Sequence, residues 1–215
     1  MSILVNQYYK ATSEGDAKRF QRGQLCLGAG FYLPDKHTVL ELKDYHPEDE
    51  RLNRYAVLHN PPSTTLFNHT PVKEINLQNN EELLVIKAKM RPLLVISQAP
   101  IEWKPGSSRL RECAYVCLPF HSFHEEDSLD FRARVQALEY PWWIYFPEDK
   151  PLRRAEGFIR LDRIQVIAKQ LLKPLPVAIT EDALFFVSEW LRYYVTGEID
   201  KMFLDERKSL IEQLQ

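Results

Sequence analysis

The strongest hydrophobic pattern in the chain consists of two short apolar runs near its middle. They are residues 91–97 (RPLLVIS) and residues 113–122 (CAYVCLPFHS), both rich in β-branched and large apolar side chains and both containing a proline near one end. Such runs are typical of buried strands. The segment between them is long enough for a hairpin loop, and in a hairpin the beginning of one strand lies beside the end of the other. Arg91 is therefore predicted to lie near His121 or Ser122, at one edge of a small sheet.

Two further segments alternate between apolar and other residues with a period of two. Residues 22–33 (RGQLCLGAGFYL) are predicted to form a strand whose internal glycines let it coil tightly, as a small barrel requires. In residues 157–168 (GFIRLDRIQVIA) the alternation places Arg160 and Asp162 on one face of a strand. Two ionisable side chains that are two positions apart on one face can contact the same ligand.

The C-terminal part of the chain follows helical spacing instead. Thr180 is predicted to cap a helix, because its hydroxyl can accept from the first-turn amides, and Gly197 lies where a helix usually stops. Residues 199–214 form a second, mostly polar helical segment that can pack on the body or meet a partner. Residues 45–87 contain several prolines and many Asn and Thr. We expect an irregular insertion there, with one or two short strands.

The composition is that of an ordinary folded protein. Of the 215 residues, 45% are apolar and 27% are charged. No stretch approaches the roughly 20 apolar residues of a membrane-spanning helix, and the first residues do not have the pattern of a secretory signal. The three cysteines argue against a disulfide framework. We therefore expect a cytoplasmic protein without a membrane partner.

The charge is unevenly distributed along the chain. The net charge is -2, yet residues 150–173 carry seven Lys or Arg against two acidic residues, whereas residues 180–215 carry eight acids and four bases. The basic segment suits a phosphate-binding surface, or simply a solvated loop and strand with scattered Arg. Under the first alternative the predicted substrate-binding residues are Ser122, Arg153, Arg154 and Arg163.

Five motifs follow one another in a distinctive order. They are a glycine-containing strand, a strand opened by Arg-Pro, a strand that ends in Pro-Phe-His-Ser, a glycine-led strand and a closing helix. They occupy residues 22–33, 91–96, 119–122, 157–168 and 180–196. This order resembles the PemK/MazF family of toxin endoribonucleases (Kid/CcdB-type), over roughly residues 22–40 and 88–197.

The resemblance implies a mainly β (α+β) fold, namely an SH3-like small β-barrel with C-terminal helices. It also implies a growth inhibitor that cleaves RNA without a metal or other cofactor, forms a homodimer and is neutralised by an antitoxin protein. The chain would then be a single domain, residues 1–215. Its parts would be a barrel core at about residues 22–44 and 88–178, an insertion at about 45–87 and C-terminal helices at 180–215.

The resemblance further implies which residues carry the chemistry. In one branch of the family an Arg-x-Asp on the late strand is catalytic, and Arg160-Leu161-Asp162 matches it. In the other branch the strand-opening Arg and a Thr are catalytic; Arg91 matches the first, and His121 replaces the second. Metal-free RNA cleavage needs a base for the 2′-hydroxyl proton, cations on the phosphate and a proton for the leaving oxygen. We assign these roles to Asp162, to Arg160 with Arg91, and to His121.

Each of these candidates also has a purely structural interpretation. Arg160 and Asp162 can be an ordinary ion pair on a half-exposed sheet, and His121 can be a hydrogen-bonded loop histidine. The aromatic run at residues 140–146 (YPWWIYF) can stack nucleic-acid bases or pack in a core or a dimer. The second functional hypothesis is therefore a non-catalytic barrel that binds protein or nucleic acid.

Four residues near the second apolar run raise the question of a zinc site. Cys113, Cys117, His121 and His124 are all zinc-ligating types. Two cysteines four positions apart on a strand are, however, separated by roughly 13 Å, which is too far for one ion. Buried thiols without a metal are the preferred interpretation.

Overall fold

The computed structural model describes most of the chain, which divides into two compact units. The described residues are 5–17, 20–31, 38–44, 46, 48–49, 54–59, 86–97, 101–103 and 112–214. The first unit is Met1–Gly30 together with Met90–Gln215, and the second is Phe31–Lys89. All predicted site residues belong to the first unit. The prediction of one domain over residues 1–215 stays a prediction.

Strands predominate, and helices close the chain. The strands are β1 (Tyr9–Ala11), β2 (Gln24–Phe31), β3 (Thr38–Asp44), β4 (Arg54–His59), β5 (Ala88–Val95), β6 (Ile101–Trp103), β7 (Glu112–Ser122), β8 (Trp143–Phe146), β9 (Gly157–Arg160), β10 (Gln165–Ala168) and β11 (Leu172–Ile179). The α-helices are α1 (Glu14–Ala17), α2 (Leu129–Gln136), α3 (Glu181–Thr196) and α4 (Lys201–Glu212). The predicted α+β class is confirmed.

Most of the described strands form one sheet, which is mostly antiparallel and strongly curled. Its order is β1-β11-β2-β5-β7-β9-β8, and β6 and β10 also pair with β7. Although β1 and β8 are the two ends of this order, the ring of Tyr9 in β1 lies 5.7 Å from that of Phe146 in β8. Side chains therefore join the two ends, but no described ladder closes the sheet. The predicted closed barrel is not confirmed.

The central strand β7 takes part in more pairings than any other described strand. It pairs antiparallel with β5, where Leu93 is opposite Pro119, and with β9, where His121 is opposite Phe158. It also pairs with β10. The single strand predicted over residues 157–168 is wrong, because a 3₁₀ turn at Leu161–Arg163 separates β9 from β10.

The sheet packs apolar side chains on both faces. Adjacent residues of β7, Cys117 and Leu118, are both fully buried but belong to two different apolar clusters, as strand alternation requires. The larger cluster also contains the buried face of α3, including Trp190, which is 0% exposed. The smaller cluster lies among β2, β5, β7, β10 and β11. The two clusters fix β7 between them.

The C-terminal helices begin and end as their caps dictate. The Thr180 hydroxyl accepts from the amide of Ala183 at the start of α3, and Gly197 ends this helix with a positive φ of 76°. In α4, Arg207 donates to the backbone oxygen of Leu138 at 2.7 Å, and Phe203 is buried. The last helix therefore packs on the body of its own unit. Among the described residues no helix is long and apolar enough to cross a membrane.

The second unit contains the antiparallel pair β3–β4, in which Leu40 is opposite Val57. Strand β4 agrees with the expectation of one or two short strands within residues 45–87. Most of that predicted insertion lies outside the described residues.

Candidate functional site

Arg91 and His121 meet at one edge of the β5–β7 pair, as the hairpin argument predicted. Continuing the register of Leu93 opposite Pro119 by two positions places Arg91 opposite His121. The Arg91 guanidinium Nη1 lies 2.7 Å from Nδ1 of His121 and 3.5 Å from the backbone oxygen of Phe120. A guanidinium only donates, so the imidazole nitrogen accepts. The same Nη1 lies 3.2 Å from Nε2 of His121, so the ring nitrogen that carries no proton accepts from Arg91.

Gly30 in the neighbouring strand β2 leaves the space that the side chain of Arg91 occupies. A Cβ atom at Gly30 would lie 2.5 Å from Cδ and 2.8 Å from Cγ of Arg91. The arginine stem therefore crosses directly over the backbone of β2. Any larger residue at this position moves the stem, because real Cβ atoms do not approach so closely.

His121 also contacts a group of aromatic rings. The His121 ring stacks on Phe158 at 5.5 Å between centroids, and Phe158 in turn stacks on Trp143 at 4.8 Å. Further rings continue this surface, namely Phe123, Phe131, Tyr140 and Tyr145. The histidine is thus at the border between a charged group and an aromatic surface.

Arg160 and Asp162 form a two-point ion pair at the end of β9. Arg160 Nε donates to one carboxylate oxygen of Asp162 at 3.0 Å, and Nη2 donates to the other. The guanidinium also lies over the ring of Trp143, 5.4 Å from its centroid. Arg163 Nε is 3.6 Å from the same carboxylate. The 3₁₀ turn, rather than a continuous strand, brings these three charged side chains together.

The surroundings of His121 strongly favour its neutral form. The pKa of His121 is lowered to about 3; burial is the largest cause, the positive charges of Arg91, Arg160 and Arg163 add to it, and Asp162 acts in the opposite direction. The charges of the other four side chains therefore act on His121. His121 is therefore neutral at pH 7, whereas the role of proton donor assigned to it from the sequence requires a protonated ring.

We name Arg91, His121, Arg160, Asp162 and Arg163 the Arg–His cluster. With His121 neutral, its formal charge is the sum of three arginines and one aspartate, or +2. The side chains of Arg160, Asp162 and Arg163 are 23%, 22% and 24% exposed. Partly desolvated guanidinium groups with an excess of positive charge are suited to binding a phosphate. The four predicted catalytic residues, and Arg163, thus lie together.

The other three predicted substrate-binding residues lie elsewhere. Ser122, Arg153 and Arg154 line an open cleft of about 150 Å³. Successive side chains of a strand point to opposite faces, so Ser122 and His121 lie on opposite faces of β7. The prediction that all eight residues serve one site is not supported by this arrangement.

The cysteines behave as buried thiols. Cys26 and Cys117 are fully buried, and burial raises the pKa of each to about 12. Cys113 is half-buried and unpaired with another cysteine. Among the described residues no group of three or more His, Cys, Asp or Glu is arranged to hold a metal ion.

Two contributors to the site were missed from the sequence. Phe158 is the surface on which His121 stacks, and Gly30 makes room for Arg91. A glycine inside an alternating strand is itself a signal of close approach by another group. The identity of that group depends on strand pairing, which the local sequence does not give.

Comparisons with known proteins add no further constraint on this site. No protein-family model matches the chain, and a search of curated proteins finds no match.

Proposed function

We propose that the protein is a PemK/MazF-like growth inhibitor, a metal-independent endoribonuclease that acts on RNA in the cytoplasm. The observation that carries this proposal is the grouping of Arg91, His121, Arg160 and Asp162 into one partly exposed cluster with excess positive charge. The adjoining aromatic surface supports it, since nucleobases stack on such rings. In this proposal the curled sheet is an open variant of the SH3-like barrel, and a homodimer and an antitoxin partner remain part of the hypothesis.

In the proposed reaction the arginines bind the scissile phosphate. Arg91, Arg160 and Arg163 stabilise the negative charge that builds on its oxygens in the transition state. The 2′-hydroxyl oxygen attacks phosphorus, the bond from phosphorus to the 5′-oxygen breaks, and the products are a 2′,3′-cyclic phosphate and a 5′-hydroxyl. One proton must leave the 2′-oxygen, and one must reach the 5′-oxygen.

The contacts of the cluster favour a different assignment of the proton transfers from that expected from the sequence. Both carboxylate oxygens of Asp162 accept from Arg160, so Asp162 is better suited to orienting the arginines than to acting as base. His121 is neutral and able to accept a proton. A bound phosphate offsets the arginine charges that lower the pKa of His121. Substrate binding therefore makes His121 a stronger base, and the resulting imidazolium can return the proton to the 5′-oxygen.

Cleavage of RNA by the purified chain in excess chelator tests this proposal. We expect products with a cyclic phosphate end, and growth arrest when the chain is expressed. His121→Gln, Arg160→Ala and Asp162→Asn should each reduce the cleavage rate by about 10²-fold or more. Arg134→Ala is the matched control, because Arg134 is also paired with carboxylates but belongs to α2 and not to the cluster. Equal activity of all four variants would exclude the Arg–His cluster as the active site.

A nucleic-acid-binding module without cleavage is the second candidate. Two observations favour it: the pKa of His121 is low, and both carboxylate oxygens of Asp162 accept from Arg160. The cluster therefore contains no strong base. Under this alternative RNA stays intact and the chain is harmless on expression. Binding would then weaken with salt, and Arg91→Ala would reduce the slope of log K against log salt by about one phosphate contact.

A further inference from the structure

The cleft on the opposite face of β7 is separate from the proposed ribonuclease site. Leu25, Pro92 and Phe120 form its apolar wall, and Ser122, Arg153 and Arg154 form its polar wall. The volume of about 150 Å³ is below the roughly 300 Å³ at which pockets for drug-sized ligands begin. The cleft therefore suits a small ligand that has both a charged and an uncharged part.

Several other arginines of the unit, unlike the two of the cleft, pair with carboxylates among the described residues. Arg132 pairs with Glu156, Arg134 with Asp130 and Glu139, and Arg160 with Asp162. Within the part of the chain that the structure describes, neither Arg153 nor Arg154 makes an ion pair. Arg154 uses its Nε to donate to the backbone oxygen of Leu152 at 3.2 Å, which leaves its terminal nitrogens for a ligand.

A tight turn holds these arginines in place. Asp149 and Arg154 exchange backbone hydrogen bonds of 2.9 and 2.8 Å, and the Asp149 carboxylate accepts from the amide of Leu152 at 3.0 Å. Within this turn Arg153 has a positive φ of 53°. That conformation is strained for a residue with a Cβ and costs nothing for glycine. Replacing Arg153 with glycine would therefore remove the guanidinium and relieve the backbone at the same time.

We propose that this cleft binds a small phosphate monoester, separately from RNA at the Arg–His cluster. Arg153 and Arg154 hold the phosphate, because the planar guanidinium donates to two phosphate oxygens at once. The Ser122 hydroxyl donates to a third oxygen. The uncharged part of the ligand lies against the apolar wall, which Pro92 and Phe120 keep rigid.

Ribose 5-phosphate is the probe, added to the full chain at about physiological salt and followed by titration calorimetry. We expect one molecule to bind per chain. Arg154→Gln and Arg153→Gly should each weaken binding by roughly tenfold or more. Arg153→Gly removes the guanidinium while relieving the strained φ, so its loss of binding is not a folding defect; its unfolding transition should be unchanged or shifted to higher denaturant.

Two control variants make the outcome decisive. Lys150→Gln removes the same charge from the same turn, but Lys150 does not line the cleft, and Arg134→Gln removes a guanidinium of α2 that belongs neither to the cleft nor to the Arg–His cluster. Both should leave binding of ribose 5-phosphate within about twofold. Absence of binding at millimolar probe overturns the proposal, and so does a loss of binding in either control equal to that in Arg154→Gln. The result does not depend on RNA cleavage, so the ribonuclease proposal can fail while this one holds.

Discussion

At the scale of single residues, Gly30 determines where the Arg91 guanidinium lies. We expect Gly30→Ala to displace the stem of Arg91, because the added methyl would lie 2.5 Å from its Cδ. The guanidinium then moves away from His121, and the pKa of His121 rises, since the charge of Arg91 is one of the causes that lower it. An NMR titration of the His121 ring measures this rise directly.

Gly28→Ala is the matched control for this substitution. A Cβ atom at Gly28 would meet buried apolar side chains, Leu93 and Leu172, each at 2.8 Å, instead of a charged one. We expect it to cost about 1–3 kcal/mol of unfolding free energy through overpacking, with a smaller effect on the pKa of His121. If the two variants shift that pKa equally, the steric link from Gly30 to Arg91 is wrong.

His121 also makes the stability of the protein depend on pH. Its pKa is lowered from 6.5 to about 3 in the folded state, so between these values the unfolded chain binds more protons than the folded one. Stability therefore rises with pH across this window and is lost as the pH falls from 6.5 toward 3. We expect the unfolding free energy of the wild type to fall more between pH 7 and pH 4.5 than that of His121→Gln, measured by urea denaturation.

The acidic residues titrate in both of these proteins, so their contribution cancels in the comparison. The difference isolates His121 and the charges that face it, namely Arg91, Arg160, Arg163 and Asp162. Parallel losses of stability in the two proteins would mean that His121 is protonated in the folded state, which would contradict the neutral form described above.

The sequence identified the residues of the Arg–His cluster but not their neighbours. Arg91 and His121 lie at the ends of two apolar runs, and antiparallel pairing alone predicts their contact. Strand alternation also predicts that the side chains of His121 and Ser122 lie on opposite faces of β7. Both residues were nevertheless assigned to one site, because they are adjacent in the sequence. The protonation state of His121 was not predictable, because it depends on burial and on arginines from separate elements.

At the scale of elements, the strand patterns predicted where strands lie but not where they break. β5 and β7 fall on the two apolar runs, and Thr180 begins α3 as its capping chemistry requires. The alternation over residues 157–168, in contrast, continues through a 3₁₀ turn. A single polar residue such as Asp162 fits either a strand face or a turn, so local periodicity does not distinguish them. The turn matters because it lets Arg160 and Asp162 meet side by side.

At the scale of the whole molecule, the curl of the sheet was not predictable from local sequence patterns, because it involves contacts between elements that are distant in the sequence. The ends of the strand order meet through Tyr8, Tyr9 and Phe146, which are far apart in the sequence. Among the described residues, the members of both apolar clusters belong to Met1–Gly30 and Met90–Gln215. This unit therefore has its own core, and the intervening segment joins two neighbouring strands of the same sheet.

We expect the first unit to fold without the segment between Phe31 and Met90. Gly28 approaches Leu93 and Gly30 approaches Arg91, so β2 and β5 run antiparallel and Phe31 lies opposite Met90. An Asn-Gly pair between these two residues gives the two-residue turn that hairpins prefer. The shorter connection also lowers the entropic cost of closing the loop. The shortened chain should unfold in one cooperative transition and keep the low pKa of His121, measured by urea denaturation and NMR titration.

A second version with a flexible Gly-Ser linker in place of the Asn-Gly pair separates two causes of failure. If only the linker version folds, the register of β2 against β5 is wrong but the first unit is independent. If neither version folds, residues of the second unit complete the core of the first, and the division into two compact units has no thermodynamic meaning. If both fold and retain the Arg–His cluster, the chemistry of the site depends on the curled sheet alone.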